Sequence, residues 1–210
     1  YNMEKLISVI MPSLNSDLYI NESIKSILDQ NYKNIELIIV DGGSSDSTAN
    51  IIKKWSTIDK RLKFIFKKNQ GVVGSLNEGI KVARGEYIAR MDSDDKSYPN
   101  RFVKQIYYME KYKLDVCGSW MAESDFKKIF KKRIFPVHHD EILTNLLLFG
   151  RTLPHPTVIF RKKVFSEFNY SEEYGKYAED YLLWCRIAFK SKFLAVITLS
   201  ILAYLCNNLP

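Results

Sequence analysis

The chain has no cysteine pair at a bridging spacing, no apolar run long enough to cross a bilayer and no phosphate-cradling glycine fingerprint. Each absence removes a class of protein. The three cysteines, Cys117, Cys185 and Cys206, include no CxxC, and an odd, scattered set argues against both a disulfide framework and a zinc site. A reducing compartment is expected. The longest apolar stretch, Phe193–Cys206, falls short of the roughly 20 residues of a membrane helix, and its Thr198 and Ser200 suit a buried strand better. The short apolar run Leu6–Met11 lacks the basic and small-residue flanks of a secretory signal, which predicts a cytoplasmic protein. Neither G-x-x-x-x-G-K-S/T nor G-x-G-x-x-G follows that run, so no P-loop or dinucleotide fold is expected.

What the sequence does contain is a core. At 210 residues with 46% hydrophobic and 13% aromatic content, it is one ordinary globular domain, and disorder, collagen and coiled coil are excluded. Lys and Arg number 31 against 24 Asp and Glu, but Lys127, Lys128, Lys131, Lys132 and Arg133 supply five cations in one short window. Without them the balance is 26 against 24, so the body of the protein is nearly neutral. That segment interleaves Phe126, Ile129 and Phe130 with its cations. It fits peripheral contact with an anionic membrane surface or a solvated hairpin, and the rest of the chain offers no matching footprint for nucleic acid.

Apolar patterning alternates strand and helix. Leu6–Met11, Ile35–Val40, Leu62–Phe66 and Tyr87–Met91 are short apolar runs bounded by turn residues, as expected of strands covered on both faces. Ile20, Ile24, Ile27 and Leu28 fall at i, i+4, i+7 and i+8, a helix with one buried stripe. Ser45 or Asp46 can cap a helix carrying Ile51, Ile52 and Trp55. Gly71 is expected to open a loop before a third helix bearing Leu76, Ile80 and Ala83, with Gly85 ending it. These four units predict an open, mostly parallel sheet. The second half predicts a helix from Pro99 to Lys111, a strand near Val116–Met121 and a helix after Asp140. A strand at Thr157–Phe160, a helix over 178–189 and a strand at Phe193–Tyr204 complete it.

In such sheets ligands bind at the carboxyl ends of the strands. The residues there are Pro12-Ser13-Leu14-Asn15, Asp41, Gly71 and Asp92-Ser93-Asp94-Asp95. Turns favour most of these residue types for their own reasons, so single members carry little. The acidic cluster carries more. Three carboxylates in four residues repel one another unless a cation neutralises them, and all-oxygen ligation suits Mg²⁺ or Mn²⁺ with positions left open for a diphosphate.

Four segments taken in order resemble family 2 glycosyltransferases: Ile7–Asn15, Glu36–Thr48, Asn77-Glu78-Gly79 with Ala83–Ile88, and Asp92-Ser93-Asp94-Asp95. His155-Pro156-Thr157 and Glu179-Asp180 are similar to later elements of that family. The resemblance implies an α/β GT-A fold: a nucleotide-binding half over 1–95 and an acceptor-side half over 96–210, expected to lack a C-terminal part. It implies an inverting, Mn²⁺- or Mg²⁺-dependent transferase moving a sugar from a nucleotide donor, a UDP-sugar, to a surface-glycan or lipid-linked acceptor. Pro12, Ser13 and Asn15 would then line the nucleoside pocket, and Asp41 would accept from uracil N3–H. Gly71 would let the backbone approach the base or ribose, and Asn77 and Ser93 join the substrate-binding set. Asp92 would contact ribose and metal, Asp94 the metal, and Asp180 would be the catalytic base.

Bland readings stand beside these. Asp180 equally suits the acidic first turn of a helix. His155, fixed between two prolines, faces the acceptor or metal site or simply packs; His138 and His139 read as solvated. Trp184 belongs to a core stripe with Leu183 and Ile187, and Trp120 packs or stacks on sugar. Two rivals remain. A sugar nucleotidyltransferase needs a glycine-rich loop with a basic residue where this chain has Pro12-Ser13-Leu14-Asn15. A nucleotide-binding fragment without catalysis is the other.

Overall fold

The computed structural model describes residues 5–68, 70–124, 129–150, 153–171, 179–188, 190–191 and 193–204. Its first half runs β1 (Ile7–Ser13), α1 (Ile20–Leu28), β2 (Ile35–Asp41), α2 (Thr48–Ile58), β3 (Leu62–Phe66), α3 (Gly71–Val82) and β4 (Tyr87–Arg90). The second half adds β5 (Asp95–Ser97), α4 (Arg101–Lys111), β6 (Val116–Ser124), β7 (Ile129–Arg133) and α5 (His139–Phe149), then β8 (Ile159–Arg161), α6 (Glu179–Ile187) and β9 (Phe193–Tyr204). Short 3₁₀ turns cover His155–Thr157 and Lys162–Ser166.

The strands form one sheet in the order β3-β2-β1-β4-β8-β6-β9-β5, with β7 paired to β6. β1 to β4 are mutually parallel; β8 is antiparallel to both β4 and β6, so β6 and its parallel neighbour β9 point the same way as β1. The carboxyl ends of six strands therefore share one edge of the sheet.

Strand alternation sorts the core into two layers. In β2, Leu37 and Ile39 join the cluster that includes Ile20, Ile24 and Ile27 of α1 and Phe102 and Ile106 of α4, while Ile38 and Val40 join the cluster of α3, α5 and α6. All seven β2 residues are buried, which explains why this strand reads as an unbroken apolar run rather than an alternating one.

Several expectations shift. Gly71 does not open a loop: it is the first residue of α3, at φ +61, a conformation glycine reaches without strain. Gly85 is not the helix terminus either. α3 ends at Val82, and a Cβ on Gly85 would stand 2.6 Å from the Ser8 nitrogen, so glycine is required for close approach to β1. α4 begins at Arg101 instead of Pro99, and Thr157 lies in a 3₁₀ turn rather than a strand. His139 is half-buried, stacked on Phe193 and accepting its N–H at Nδ1, whereas His138 is exposed as expected. The basic segment forms the second strand of a β6–β7 hairpin over 129–133; Lys127 and Lys128 lie outside the described residues.

Candidate active site

β1 and β2 end side by side, Ser13 opposite Asp41, and β4 ends next to β1, with Met91 N–H bonding to the Ile10 carbonyl. Between these ends opens a cleft of about 350 Å³ lined by Pro12, Ser13, Leu14, Gly42, Gly43, Gly71, Val72, Ser75 and Asp92. It unites the first, second and fourth sequence motifs with Gly71. Ser13 is buried at 5% exposure and its Oγ has no hydrogen-bond partner among the described residues. A buried hydroxyl left unsatisfied costs free energy, so this oxygen is open to a further hydrogen bond from within the cleft.

Asp41 is fully buried. Its Oδ1 accepts from the Gly43 and Ser44 N–H groups, both at 2.8 Å, and its Oδ2 from Ser44 Oγ at 2.7 Å. The carboxylate thus builds the turn that forms one wall of the cleft. Asn15, at φ +49, clamps the same turn: its N–H donates to Ser44 Oγ and its Oδ1 accepts from Ser45 N–H, both at 2.9 Å. Ser45 therefore does not cap α2. Nor is Asp46 the N-cap, which is Ser47; Asp46 Oδ1 accepts Thr48 N–H at 2.9 Å from the residue before it.

The acidic cluster divides. Asp92 faces the cleft and pairs with Arg90 Nη1, a guanidinium whose side chain is only 8% exposed. Asp94 is half-buried, and burial, followed by the Asp92 charge, holds its carboxyl above the ordinary range. Asp95 turns inward. It is 4% exposed with Oδ2 unpartnered, and burial, then Asp92 and Asp94, push its carboxyl well up. Arg101 approaches it from α4, so thoroughly buried that its guanidinium is pulled down to about 9. The repulsion read from sequence is thus partly answered by two buried arginines that sequence reasoning passed over, leaving three acids against two bases.

A polar stripe on α1, also missed, holds the acidic loop. Ser16 Oγ bonds Ser93 Oγ at 2.7 Å; Ser23 Oγ donates to the Ser93 and Asp95 carbonyls at 2.8 and 2.6 Å. Ser26 Oγ accepts Ser97 N–H at 3.0 Å, and Gln30 Nε2 donates to the Tyr98 carbonyl at 2.8 Å. Ser23 and Ser26 share one face of α1 and Gln30 follows just past its end, so the signal was polar residues at i, i+3 and i+7 beside the apolar stripe. Ser93 is accordingly a packing residue of the loop, with its hydroxyl turned toward α1.

Asn77 does not reach the cleft. Its Nδ2 donates to the Tyr170 carbonyl and its Oδ1 accepts Tyr170 N–H, at 3.1 and 3.2 Å, pinning the acceptor-side segment to α3. Tyr170 in turn bonds His155 Nε2 at 2.6 Å. His155 is 6% exposed and edge-on to Trp184; burial, then Arg90, keeps it neutral well below the usual histidine range. Trp120 packs, its Nε1 donating to the Phe135 carbonyl at 3.0 Å. Asp180, in the first turn of α6, is half-buried and accepts its neighbour's N–H, from Tyr181, at 2.7 Å. It does not line the cleft, but lies near enough to Tyr170 to help burial raise that phenol.

Among the described residues no three His, Cys, Asp or Glu side chains converge as a ready-made metal cage. Asp92 and Asp94 could supply at most two protein ligands, which fits a hard divalent ion completed by ligand oxygens.

The model of the family described as Glycosyl transferase family 2 matches residues 8–168. An uncharacterized glycosyltransferase of Haemophilus influenzae is 35% identical over 199 residues, covering 87% of this chain and 60% of its own length. The O-antigen biosynthesis glycosyltransferase WbnJ of Escherichia coli is 35% identical over 184 residues, covering 87% and 71%. The chain spans 57–66% of the length of the first three curated relatives it matches. Of solved structures, S. aureus TarS 1-349 in complex with UDP-GlcNAc aligns with a TM-score of 0.78 at 22% identity, covering 97% of this chain and 59% of that one. Mannosyltransferase PcManGT from Pyrobaculum calidifontis, in complex with GDP-Man and Mn²⁺, aligns at 0.72 and 15% identity, covering 96% and 57%. At these identities the likeness carries the fold.

Proposed function

The chain belongs to glycosyltransferase family 2 and has the GT-A fold, and from that premise we propose that it transfers a sugar from a UDP-sugar to a hydroxyl of a glycan or lipid-linked acceptor, with inversion at the sugar's C1. The observation that carries the reading is the cleft at the strand ends, where the unpartnered Ser13 Oγ, the Asp41 turn and Gly71 face Asp92 across a space of nucleoside size.

Pro12, Ser13 and Gly71 bind the nucleoside against the turn that Asp41 and Asn15 hold, and Asp92 receives the ribose. Asp92 and Asp94 would hold Mn²⁺ or Mg²⁺, whose charge stabilises the departing diphosphate. The fit rests on the excess of acid over buried arginine and on the few protein ligands, which leave room for phosphate oxygens. Asp180 takes the proton of the acceptor hydroxyl while that oxygen bonds to C1 and the bond from C1 to the diphosphate oxygen breaks. Ser93 and Asn77 act at one remove, by holding the acidic loop and the Tyr170 segment.

The test is a panel of nucleotide sugars with Mn²⁺, scored by thermal shift and by release of the nucleoside diphosphate. A UDP-sugar should raise the melting temperature by mass action, lose that effect with chelator or in Asp94→Ala, and be turned over with acceptor or slowly by water. Stabilisation without any turnover would leave a nucleotide-binding module; stabilisation that survives chelator would remove the metal.

A further inference from the structure

α5 buries Ile142 and Leu146 on one helical stripe, and the three residues after Leu146 leave it. Leu147, Leu148 and Phe149 are 60%, 70% and 65% exposed, consecutive, and followed by Gly150 in the left-handed conformation that ends the helix. Single exposed apolar side chains are common; three large ones in a row, fanned by about 100° per residue, leave the end of the helix apolar on most of its circumference, a surface that calls for a partner. Tyr181 of α6, 40% exposed, extends it, since a Cβ on Gly150 would lie 3.8 Å from its ring.

Topology fixes where the patch faces. α5 starts at the amino end of β9, where His139 meets Phe193, and finishes beside Tyr181, next in sequence to Asp180. One turn further along α6, Trp184 lies edge-on to His155, which bonds Tyr170 from the turn before antiparallel β8, at the carboxyl edge of β4. The apolar ledge thus sits at the candidate acceptor side of the site. β7 reaches the same edge of the sheet, because it pairs with Met121–Ser124 of β6, which run beside the last residues of β9. It presents exposed Lys131 and Lys132, with Ile129 and the following Ile134 exposed at 44% and 68%, while the exposed Arg133 is already paired with Glu123.

We propose that this end of the molecule docks on an anionic phospholipid bilayer, with Leu147, Leu148 and Phe149 entering the interface and the β7 cations meeting the headgroups. Apolar side chains and cations at one edge of the sheet match a surface that is apolar beneath and negative above, which neither an acidic peptide nor a neutral glycan supplies. Docking would bring a lipid-linked acceptor to Asp180. Only that last consequence rests on the proposed transfer, and the binding stands or falls separately.

The experiment is flotation of the full chain with vesicles of phosphatidylcholine alone and with about one third phosphatidylglycerol, in low and high salt. The chain should float with the anionic vesicles and be released by salt. Leu148→Glu with Phe149→Glu, and separately Lys131→Glu with Lys132→Glu, should each weaken that binding at least about tenfold. Thermal stabilisation by UDP with Mn²⁺ should remain in both variants, since neither touches the cleft; its loss in the unaltered chain would count against the proposed function alone. Equal flotation of variants and parent, or none by the parent, would overturn the docking. So would a parent dimer that the Leu148→Glu, Phe149→Glu variant dissociates without any vesicle binding, which would make the ledge a contact between copies.

Discussion

Asp94 and Asp95 are neighbours with opposite fates: one is half-buried and outside the lining of the cleft, the other begins β5 and turns toward Arg101. The acidic cluster was legible as chemistry because three carboxylates in four residues need a counter-charge. Which acid turned inward was not, because the answer sits on α4 in a residue with no local signal. Asp180 is equally ambiguous alone, since its short contact among the described residues is the Tyr181 N–H that any first-turn acid could accept. Kinetics separate the roles. Asp180→Asn should leave donor affinity near normal and lower transfer by on the order of 10²–10⁴. A melting-point loss with unchanged turnover would assign it to the helix. Asp41 allows a sharper test. Its Oδ1 holds the turn through two N–H groups and its Oδ2 accepts the Ser44 hydroxyl, so Asp41→Asn keeps the first acceptor and turns the second into a donor that Ser44 Oγ must accept. An amide donor opposes uracil N3–H and suits cytosine N3, so titration calorimetry should show the preference for UDP over CDP falling at least about tenfold. An unchanged ratio would confine Asp41 to the turn.

At the scale of elements, strongly patterned pieces were legible and punctuation was not. The stripe Ile20, Ile24, Ile27 and Leu28 and the continuous run of β2 are forced by burial on one face and on two, and both appear where the pattern places them. Gly71 and Gly85 were misread because glycine's usual offices, loop and helix terminus, are not its only ones: one residue needed a positive φ inside a first turn, the other needed no Cβ against β1. The polar face of α1 at Ser23 and Ser26, continued by Gln30 past the helix end, carries no apolar periodicity to mark it. Its purpose is to carry the acidic loop, and it predicts a measurable coupling. Ser23→Ala strands the Ser93 and Asp95 carbonyls in a buried place, at a cost of about 1–3 kcal/mol. Denaturant melts should show that loss, and UDP affinity in Mn²⁺ should weaken with it, whereas a stability loss with unaltered affinity would make the stripe purely structural.

Across the whole molecule the two ends of the sheet hold different charge arrangements, and they should fail at different pH. At the carboxyl end, buried neutral His155 titrates well below the usual 6.5 because burial and then Arg90 disfavour its cation. The unfolded chain takes that proton near 6.5, so stability falls as pH drops below it, by about 1.4 kcal/mol per unit for one site. At the amino end, Glu36 ties β1, β2, β3 and the α3–β4 connection together through Ser8 Oγ at 2.6 Å, Arg84 N–H at 2.7 Å and Lys63 Nζ at 2.7 Å. Burial pushes its carboxyl up, but those partners outweigh burial and hold it at about 2. A depressed carboxylate contributes stability above the unfolded value of 4.5, lost as pH falls from there toward 2, on the order of 3 kcal/mol in full. Urea midpoints against pH should therefore decline in two stages, the first beginning near 6.5 and the second below 4.5. His155→Gln should flatten the first and leave the second; Glu36→Gln should lower stability at neutral pH and flatten only the second. A single decline untouched by either variant would place the acid sensitivity of the fold elsewhere.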